Sequence, residues 1–205
     1  FFLQNIPLPP LSVLSKYFFF SQNFHSVHPT FFPEVWSLAV EEWFYLVVPL
    51  LFYFSLRFFK HERKVIFLFW ILGIIVLVNF YKIYRIQVYN INDFLSWGNI
   101  IAKQVLTRLD SIMIGVLGAY MFMYHQKPWN TYKTQLFYAG IVLILYPQIH
   151  QIVFPNDSMF RNYFSLLSIS FGTLFLLPRL SSIHTGKGKI YQFFTHISAI
   201  SYSLY

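Results

Sequence analysis

Two carboxylates stand side by side in the stretch from Trp36 to Tyr45, at the start of a long apolar segment. A carboxylate in a membrane helix is costly in lipid, so it normally faces the interior of a helix bundle or the interface. Helical spacing puts Ser37, Glu41 and Tyr45 on one stripe, whereas Glu42 points about a quarter turn away. We therefore predict that Glu41 looks inward among polar neighbours. Alternatively, both glutamates simply occupy a first helical turn, which the helix dipole favours.

A second cluster pairs Arg108 with Asp110 at the head of another apolar segment. Residues two apart point to different sides of a helix, so each of these charges needs a partner elsewhere. Small residues at helical spacing follow and predict close packing of a second helix that could carry Glu41: Ser111, Gly115 and Ala119. Alternatively, Asp110 or Thr107 caps the helix while Arg108 extends to the interface.

The elements that must position these residues are membrane helices. The chain is 57% hydrophobic and only 11% charged, and its mean hydropathy is +0.53. These values are typical of membrane proteins rather than of soluble domains. We predict an all-α, polytopic transmembrane bundle of about six spanning helices, preceded by an extended lead and with a polar connection over 82–103. The predicted spans are 35–59, 65–81, 104–124, 135–154, 159–177 and a last helix from about 190 onward.

The charge distribution indicates a membrane topology and gives no sign of nucleic-acid binding. The net charge is +8, yet the basic residues punctuate apolar segments and form no block among stacking aromatics. If the six helices alternate, one side holds nine of the 15 Lys and Arg residues and is predicted to be cytoplasmic. Those nine are Arg57, Lys60, Arg63, Lys64, Lys127, Lys133, Arg179, Lys187 and Lys189. Cysteine is absent, which excludes a thiol nucleophile and a disulfide.

The first cluster resembles a known family signature. The run Trp36-Ser37-Leu38-Ala39-Val40-Glu41-Glu42-Trp43-Phe44-Tyr45, followed by Pro49, is similar to the WSLxVExxFY motif of the acyltransferase type 3 family. Members of this family are polytopic bacterial membrane enzymes that O-acylate cell-surface sugars. The motif is specific in both residue types and spacing.

Two further segments extend this resemblance over most of the chain, from about Ser21 to Tyr205. Arg108-Leu109-Asp110, running on to Gly115 and Ala119, is similar to the RxD-type helix of the family. The run Ile200-Ser201-Tyr202-Ser203-Leu204-Tyr205 resembles its SYSLYL segment. The order and approximate spacing of all three segments fit the family.

The resemblance implies an O-acyltransferase in the bacterial cytoplasmic (inner) membrane, active in cell-envelope polysaccharide biosynthesis. The donor would be a cytoplasmic acyl-CoA, often acetyl-CoA, with no other cofactor bound, and the acceptor a hydroxyl of an extracytoplasmic glycan or glycolipid. The implied catalytic residues are Glu41, Arg108 and Asp110; the implied substrate-binding residues are Trp36, Ser37, Tyr45 and Tyr202. A hydroxyl attacking a thioester needs a base, and the developing oxyanion needs a positive partner.

One family feature is missing from this sequence. The family carries its catalytic histidine on its first membrane helix, after an arginine or lysine, and no Lys or Arg here has His at the eleventh position after it. We therefore expect residues 1–205 to be part of a membrane acyltransferase domain, truncated at both ends and inactive alone. The alternatives are a transporter or flippase for an envelope glycan or lipid, and a structural membrane subunit.

Overall fold

The computed structural model describes residues 9–58, 63–155, 158–182 and 188–204, and within them the chain is helical without any β-strand. This confirms the all-α class. The α-helices are α1 Leu11–Phe18, α2 Trp36–Phe58, α3 Arg63–Tyr89, α4 Phe94–Trp97, α5 Leu109–Tyr124, α6 Gln126–Thr131, α7 Lys133–Val153, α8 Ser158–Tyr163, α9 Ser165–Leu180 and α10 Lys189–Leu204. A short 3₁₀ turn, Pro33–Val35, leads into α2, and a π-helical turn, Gly98–Ala102, follows α4.

Three helical segments in the described part of the chain are long and apolar enough to cross a membrane. They are Pro33–Phe58, Arg63–Tyr89 and Lys133–Val153. Two further apolar helices, α5 and α9, are shorter than the roughly 20 residues that a perpendicular crossing needs. These helices support a membrane-embedded bundle in a lipid bilayer, while the number of six spans stays a prediction.

The largest error in the predicted boundaries concerns α3, which continues to Tyr89 instead of ending at 81. The connection predicted to leave the membrane over 82–103 is therefore partly helix. The buried stripe of α3 runs at intervals of four and three residues through Ile71, Ile75, Val78, Lys82 and Arg85. Because Lys82 and Arg85 continue this stripe, the helix extends past the end of the apolar run.

Two other predicted spans also differ from the structure. The helix predicted over 104–124 begins only at Leu109, because Thr107 bonds to the backbone of its own loop. Its hydroxyl donates to the carbonyls of Ile101 at 2.6 Å and Gln104 at 3.1 Å. The helix predicted over 159–177 is divided at Phe164 into α8 and α9. The boundaries of α2 and α7 agree with their predictions to within about two residues.

Close helix packing involves other small residues than the predicted ones. Gly140 on α7 meets Gly172 on α9 so closely that a Cβ on Gly140 would lie 2.7 Å from the Gly172 carbonyl oxygen. By contrast, a Cβ on Gly115 would have no described atom within 4 Å, and Ala119 is exposed. The predicted stripe of Ser111, Gly115 and Ala119 therefore does not form the helix contact, since the apolar residues of α5 take the inner face. The main core joins α2, α3, α5 and α9 through Val48, Ile71, Ile75, Met113, Ile114 and Leu174.

Candidate functional site

A buried ion pair joins α3 to the first turn of α5. The Lys82 ammonium nitrogen lies 2.5 Å from Oδ2 of Asp110, and these side chains are only 5% and 1% exposed. No other ion pair is found within the described ranges. Buried charges are costly unless they are paired and hydrogen-bonded. The sequence analysis predicts that Asp110 has a partner other than Arg108, and this contact confirms it. That partner is Lys82 on another helix.

The carboxylate of Asp110 is held by three donors. Besides Lys82, the side-chain amide of Asn79 donates to Oδ2 at 3.2 Å, and the backbone N–H of Ser111 donates to Oδ1 at 2.9 Å. Asn79 also donates to the Ile75 carbonyl within its own helix at 2.7 Å. We call Asn79, Lys82 and Asp110 the ion-pair cluster. These three donors hold the carboxylate in one orientation.

Arg108 immediately precedes α5 and has a different environment. Its guanidinium is half-buried, and no described residue forms a hydrogen bond or ion pair with it. Burial lowers the pKa of Arg108, and the nearby charge of Asp110 partly opposes that shift. Since a guanidinium stays protonated in proteins, Arg108 presents up to five N–H donors on a cation that the described protein leaves unpaired. Such a group suits an anion or a developing oxyanion.

Arg85 ties the loops of this region to α3. One terminal nitrogen donates to Oε1 of Gln104 at 3.0 Å, and the other donates to the His25 carbonyl at 3.1 Å. Its guanidinium also lies 4.5 Å from the ring centre of Tyr89 and 5.8 Å from that of Tyr81. This one side chain therefore fixes the segment before α2 and the segment before α5 to the same helix.

Asn23 joins the same two segments directly. Its side-chain amide donates to the carbonyls of Trp36 at 3.0 Å and Lys103 at 2.6 Å. The backbone carbonyl of Asn23 accepts a hydrogen bond from the backbone N–H of Val105 at 3.0 Å. Val105 forms a small buried cluster with Ala39 and Val40, against which Trp36, Trp43 and Ile112 pack. The start of α2 is thus fastened beside the segment that carries Arg108.

Glu41 lies at the edge of this arrangement. It follows the buried Val40 and is itself half-buried, and it forms no ion pair with Arg108. Ser37 and Glu41 are half-buried, whereas Tyr45 is 64% exposed, so the predicted stripe faces the bundle only at its first two positions. Val48 and Ser55, seven and fourteen residues after Glu41, lie on the same side of α2 and are buried. The polar neighbours predicted for Glu41 stay a prediction.

The alternative placement of the two glutamates in a first turn is not observed. The helical segment begins with the 3₁₀ turn at Pro33, and its acidic first-turn residue is Glu34. Glu41 and Glu42 lie more than one turn inside α2, where the dipole effect has largely decayed. Glu42 is exposed whereas Glu41 is half-buried, so the pair is asymmetric.

A cavity of about 330 Å³ reaches the ion-pair cluster from the side of α8 and α9. Asn79 and Lys82 form its polar wall, while the other lining residues are largely apolar: Ile83, Met159, Tyr163, Phe164 and Leu167. Two hydrogen bonds of 2.6 Å hold α8 in place, from Arg161 to the Asn92 carbonyl and from Asn162 to the Ile91 carbonyl. A ligand with a polar group and an apolar body would fit this mixed lining.

The structure thus pairs Asp110 with Lys82 and leaves Arg108 beside this pair without direct contact. Glu41 lies on the adjoining segment. Sequence reasoning missed Lys82, Asn79 and Arg85. The signal for Lys82 and Arg85 was available in the spacing of the buried α3 stripe. Trp36 contributes its carbonyl to Asn23, whereas the side chain of Tyr202 lies outside the described residues. Within the described ranges, no group of three or more His, Asp or Glu could hold a metal ion.

Comparisons with known proteins assign no family to this arrangement. No protein-family model, no curated protein and no solved structure matches the chain.

Proposed function

We propose that this chain is part of a membrane O-acyltransferase that moves an acyl group, acetyl foremost, from acyl-CoA to a hydroxyl of an extracytoplasmic glycan or glycolipid. The proposal places the enzyme in the bacterial cytoplasmic membrane. Its main support is the half-buried Arg108 guanidinium, which lacks a described partner and stands beside the buried Lys82–Asp110 pair. Glu41, in the family-like signature, lies on the segment fastened next to it.

In the proposed reaction the acceptor hydroxyl attacks the thioester carbonyl carbon. A C–O bond forms, the C–S bond breaks, and the hydroxyl proton passes through a base to the departing CoA sulfur. Arg108 donates hydrogen bonds to the carbonyl oxygen as it gains negative charge. Glu41 binds the acceptor hydroxyl or orients the base.

Asp110 acts as a positioning residue in this scheme. Lys82, Asn79 and the Ser111 N–H already occupy its carboxylate, so it is poorly suited to accept a substrate proton. Its negative charge, two residues along the chain, attracts the Arg108 guanidinium without neutralising it by direct contact. A purely structural ion pair would explain Lys82 and Asp110. It would not explain why the half-buried Arg108 guanidinium has no described partner.

The test compares neighbouring carboxylates in acyl transfer from radiolabelled acetyl-CoA to surface glycan, using membranes that contain the full-length protein at matched expression. We expect Glu41→Gln to lose at least 10-fold in label transferred, while Glu42→Gln, the exposed neighbour, stays close to wild type. Equal activity of both variants would remove Glu41 from the site. Absence of transfer by the wild type, where native membranes do acylate, would favour the transporter alternative.

A further inference from the structure

A second cavity lies at the opposite end of α5 from the ion-pair cluster. It has a volume of about 270 Å³ and lies between the end of α5, α6, the start of α7 and the end of α9. Its lining residues are Met121, Pro128, Trp129, Tyr132, Leu136, Leu174, Phe175 and Pro178. These side chains are largely apolar, so the cavity suits a hydrocarbon chain better than a polar metabolite.

Three basic residues flank this cavity along the chain. Lys127 precedes the lining residue Pro128, Lys133 follows Tyr132, and Arg179 follows Pro178. Consecutive Cα atoms lie only about 3.8 Å apart, so the backbone of each basic residue lies next to the cavity lining, within reach of a long side chain. We call Lys127, Lys133 and Arg179 the basic rim.

The charges of the basic rim are not neutralised by the described protein. No described acidic residue pairs with Lys127, Lys133 or Arg179. The described acidic residues all belong to the opposite end of the bundle: Glu34, Glu41, Glu42, Asp93 and Asp110. Lys64, at the start of α3, lies 4.9 Å from the ring centre of Tyr124, which places another cation at this same end.

Trp129 adds an unsatisfied donor. It lines the cavity, is only 7% exposed, and its indole N–H has no acceptor among the described residues. Buried indole N–H groups usually find a hydrogen-bond partner. The ester carbonyl of a lipid would supply such an acceptor next to an acyl chain.

We infer that this cavity binds one acyl chain of an anionic phospholipid whose phosphate contacts the basic rim. An apolar cavity bordered by unpaired cations matches both parts of such a lipid, since basic pockets between membrane helices attract anionic headgroups. A zwitterionic lipid would fill the cavity but gain less from the three cations. The inference does not depend on the acyltransferase proposal.

The test measures lipid binding by native mass spectrometry of the full chain in neutral detergent. Phosphatidylglycerol and phosphatidylcholine with identical acyl chains are compared, and glycerol phosphate serves as a headgroup without a chain. We expect phosphatidylglycerol to bind at least 10-fold more tightly than phosphatidylcholine, and glycerol phosphate not to compete. The preference should weaken as salt is raised.

Two variants and one matched control locate the site. The triple substitution Lys127→Gln, Lys133→Gln and Arg179→Gln should abolish the preference. The control Lys16→Gln, Arg57→Gln and Arg63→Gln, which removes equal charge from exposed positions outside the cavity lining, should keep it. Leu136→Trp, which fills the cavity without changing the charge, should weaken binding of both lipids. Equal affinity for the two lipids, equal effects of the two triple variants, or competition by glycerol phosphate would overturn the inference.

Discussion

The ion-pair cluster and the basic rim occupy opposite ends of α5, yet they handle charge in contrasting ways. At the start of α5, Lys82 and Asp110 are both nearly inaccessible and neutralise each other. Beyond its end, Lys127 and Arg179 are exposed and no described anion pairs with them. Charges taken out of water must find protein partners, whereas charges at the surface remain for solvent, ligands or lipid. Loss of charge should therefore affect folding at the first end and ligand binding at the second.

The largest effect is expected from breaking the buried pair. Lys82→Met leaves the Asp110 carboxylate buried without its cation and should cost about 3 to 5 kcal/mol in the free energy of unfolding. The double variant Lys82→Met/Asp110→Leu removes both charges and should lose less than either single variant. The free energy of unfolding of all three variants is measured by reversible unfolding in mixed detergent micelles. If Lys82→Met proves as stable as the wild type, the pair is not an essential part of the fold.

A smaller loss is expected at Arg85, which carries no ion pair but fixes two loops. Arg85→Lys keeps the charge but cannot reproduce both the Gln104 and His25 bonds and the ring contact, so it should lose about 2 kcal/mol. Arg57→Lys, at an exposed position, is the matched control and should be neutral. The same unfolding assay applies, and equal stability of the two variants would argue against this role of Arg85.

At the basic rim, the same kind of change should leave stability almost untouched. The triple variant Lys127→Gln, Lys133→Gln and Arg179→Gln should shift the free energy of unfolding by less than about 0.5 kcal/mol per substitution in neutral detergent. A loss in the free energy of unfolding as large as that of Lys82→Met would contradict the difference proposed between the ion-pair cluster and the basic rim. Melting curves with and without phosphatidylglycerol would show whether lipid binding restores a difference.

The smallest effect concerns His28, in the loop before α2. Burial lowers its pKa below the usual value of about 6.5, aided by the charge of Lys103 and opposed by a bond to the Pro29 carbonyl and by Glu34. The unfolded chain therefore binds more protons than the folded chain at pH values just below 6.5. Stability should be fully present above that pH and should fall as the pH drops towards the lowered folded pKa.

His28→Gln should flatten this dependence, as measured by unfolding at pH 5, 6 and 8. A profile unchanged by His28→Gln would mean that another group is responsible for it.

Much of the fold could be predicted from the sequence, because the length of the apolar runs indicates where α2 and α7 begin and end, and both helices continue through an internal proline, Pro49 and Pro147. The site was only partly predictable. The need of Asp110 for a partner other than Arg108 followed from their spacing, and the structure supplies Lys82. Lys82 itself was placed in a loop, because hydropathy treats a lysine as the end of an apolar span even when helical periodicity continues through it.

The neighbours of Glu41 could not be predicted from the sequence. Helical spacing puts Glu41 on the same stripe as Val48 and Ser55, which are buried, and so predicts which side of α2 faces the bundle. What lies beside Glu41 depends on contacts of α2 with residues distant in sequence, including Val105 and Ile112. Spacing within a single helix contains no information about such contacts.

The central claim is that Arg108 acts on the substrate while Lys82 and Asp110 only hold the site together. Its most direct test measures the turnover number for acyl transfer and the melting temperature of the same Arg108→Gln protein, with Lys82→Met beside it. We expect Arg108→Gln to lose roughly 100-fold in turnover at an unchanged melting temperature. For Lys82→Met we expect a lower melting temperature. Wild-type turnover in Arg108→Gln, or a loss fully explained by unfolding, would contradict the claim.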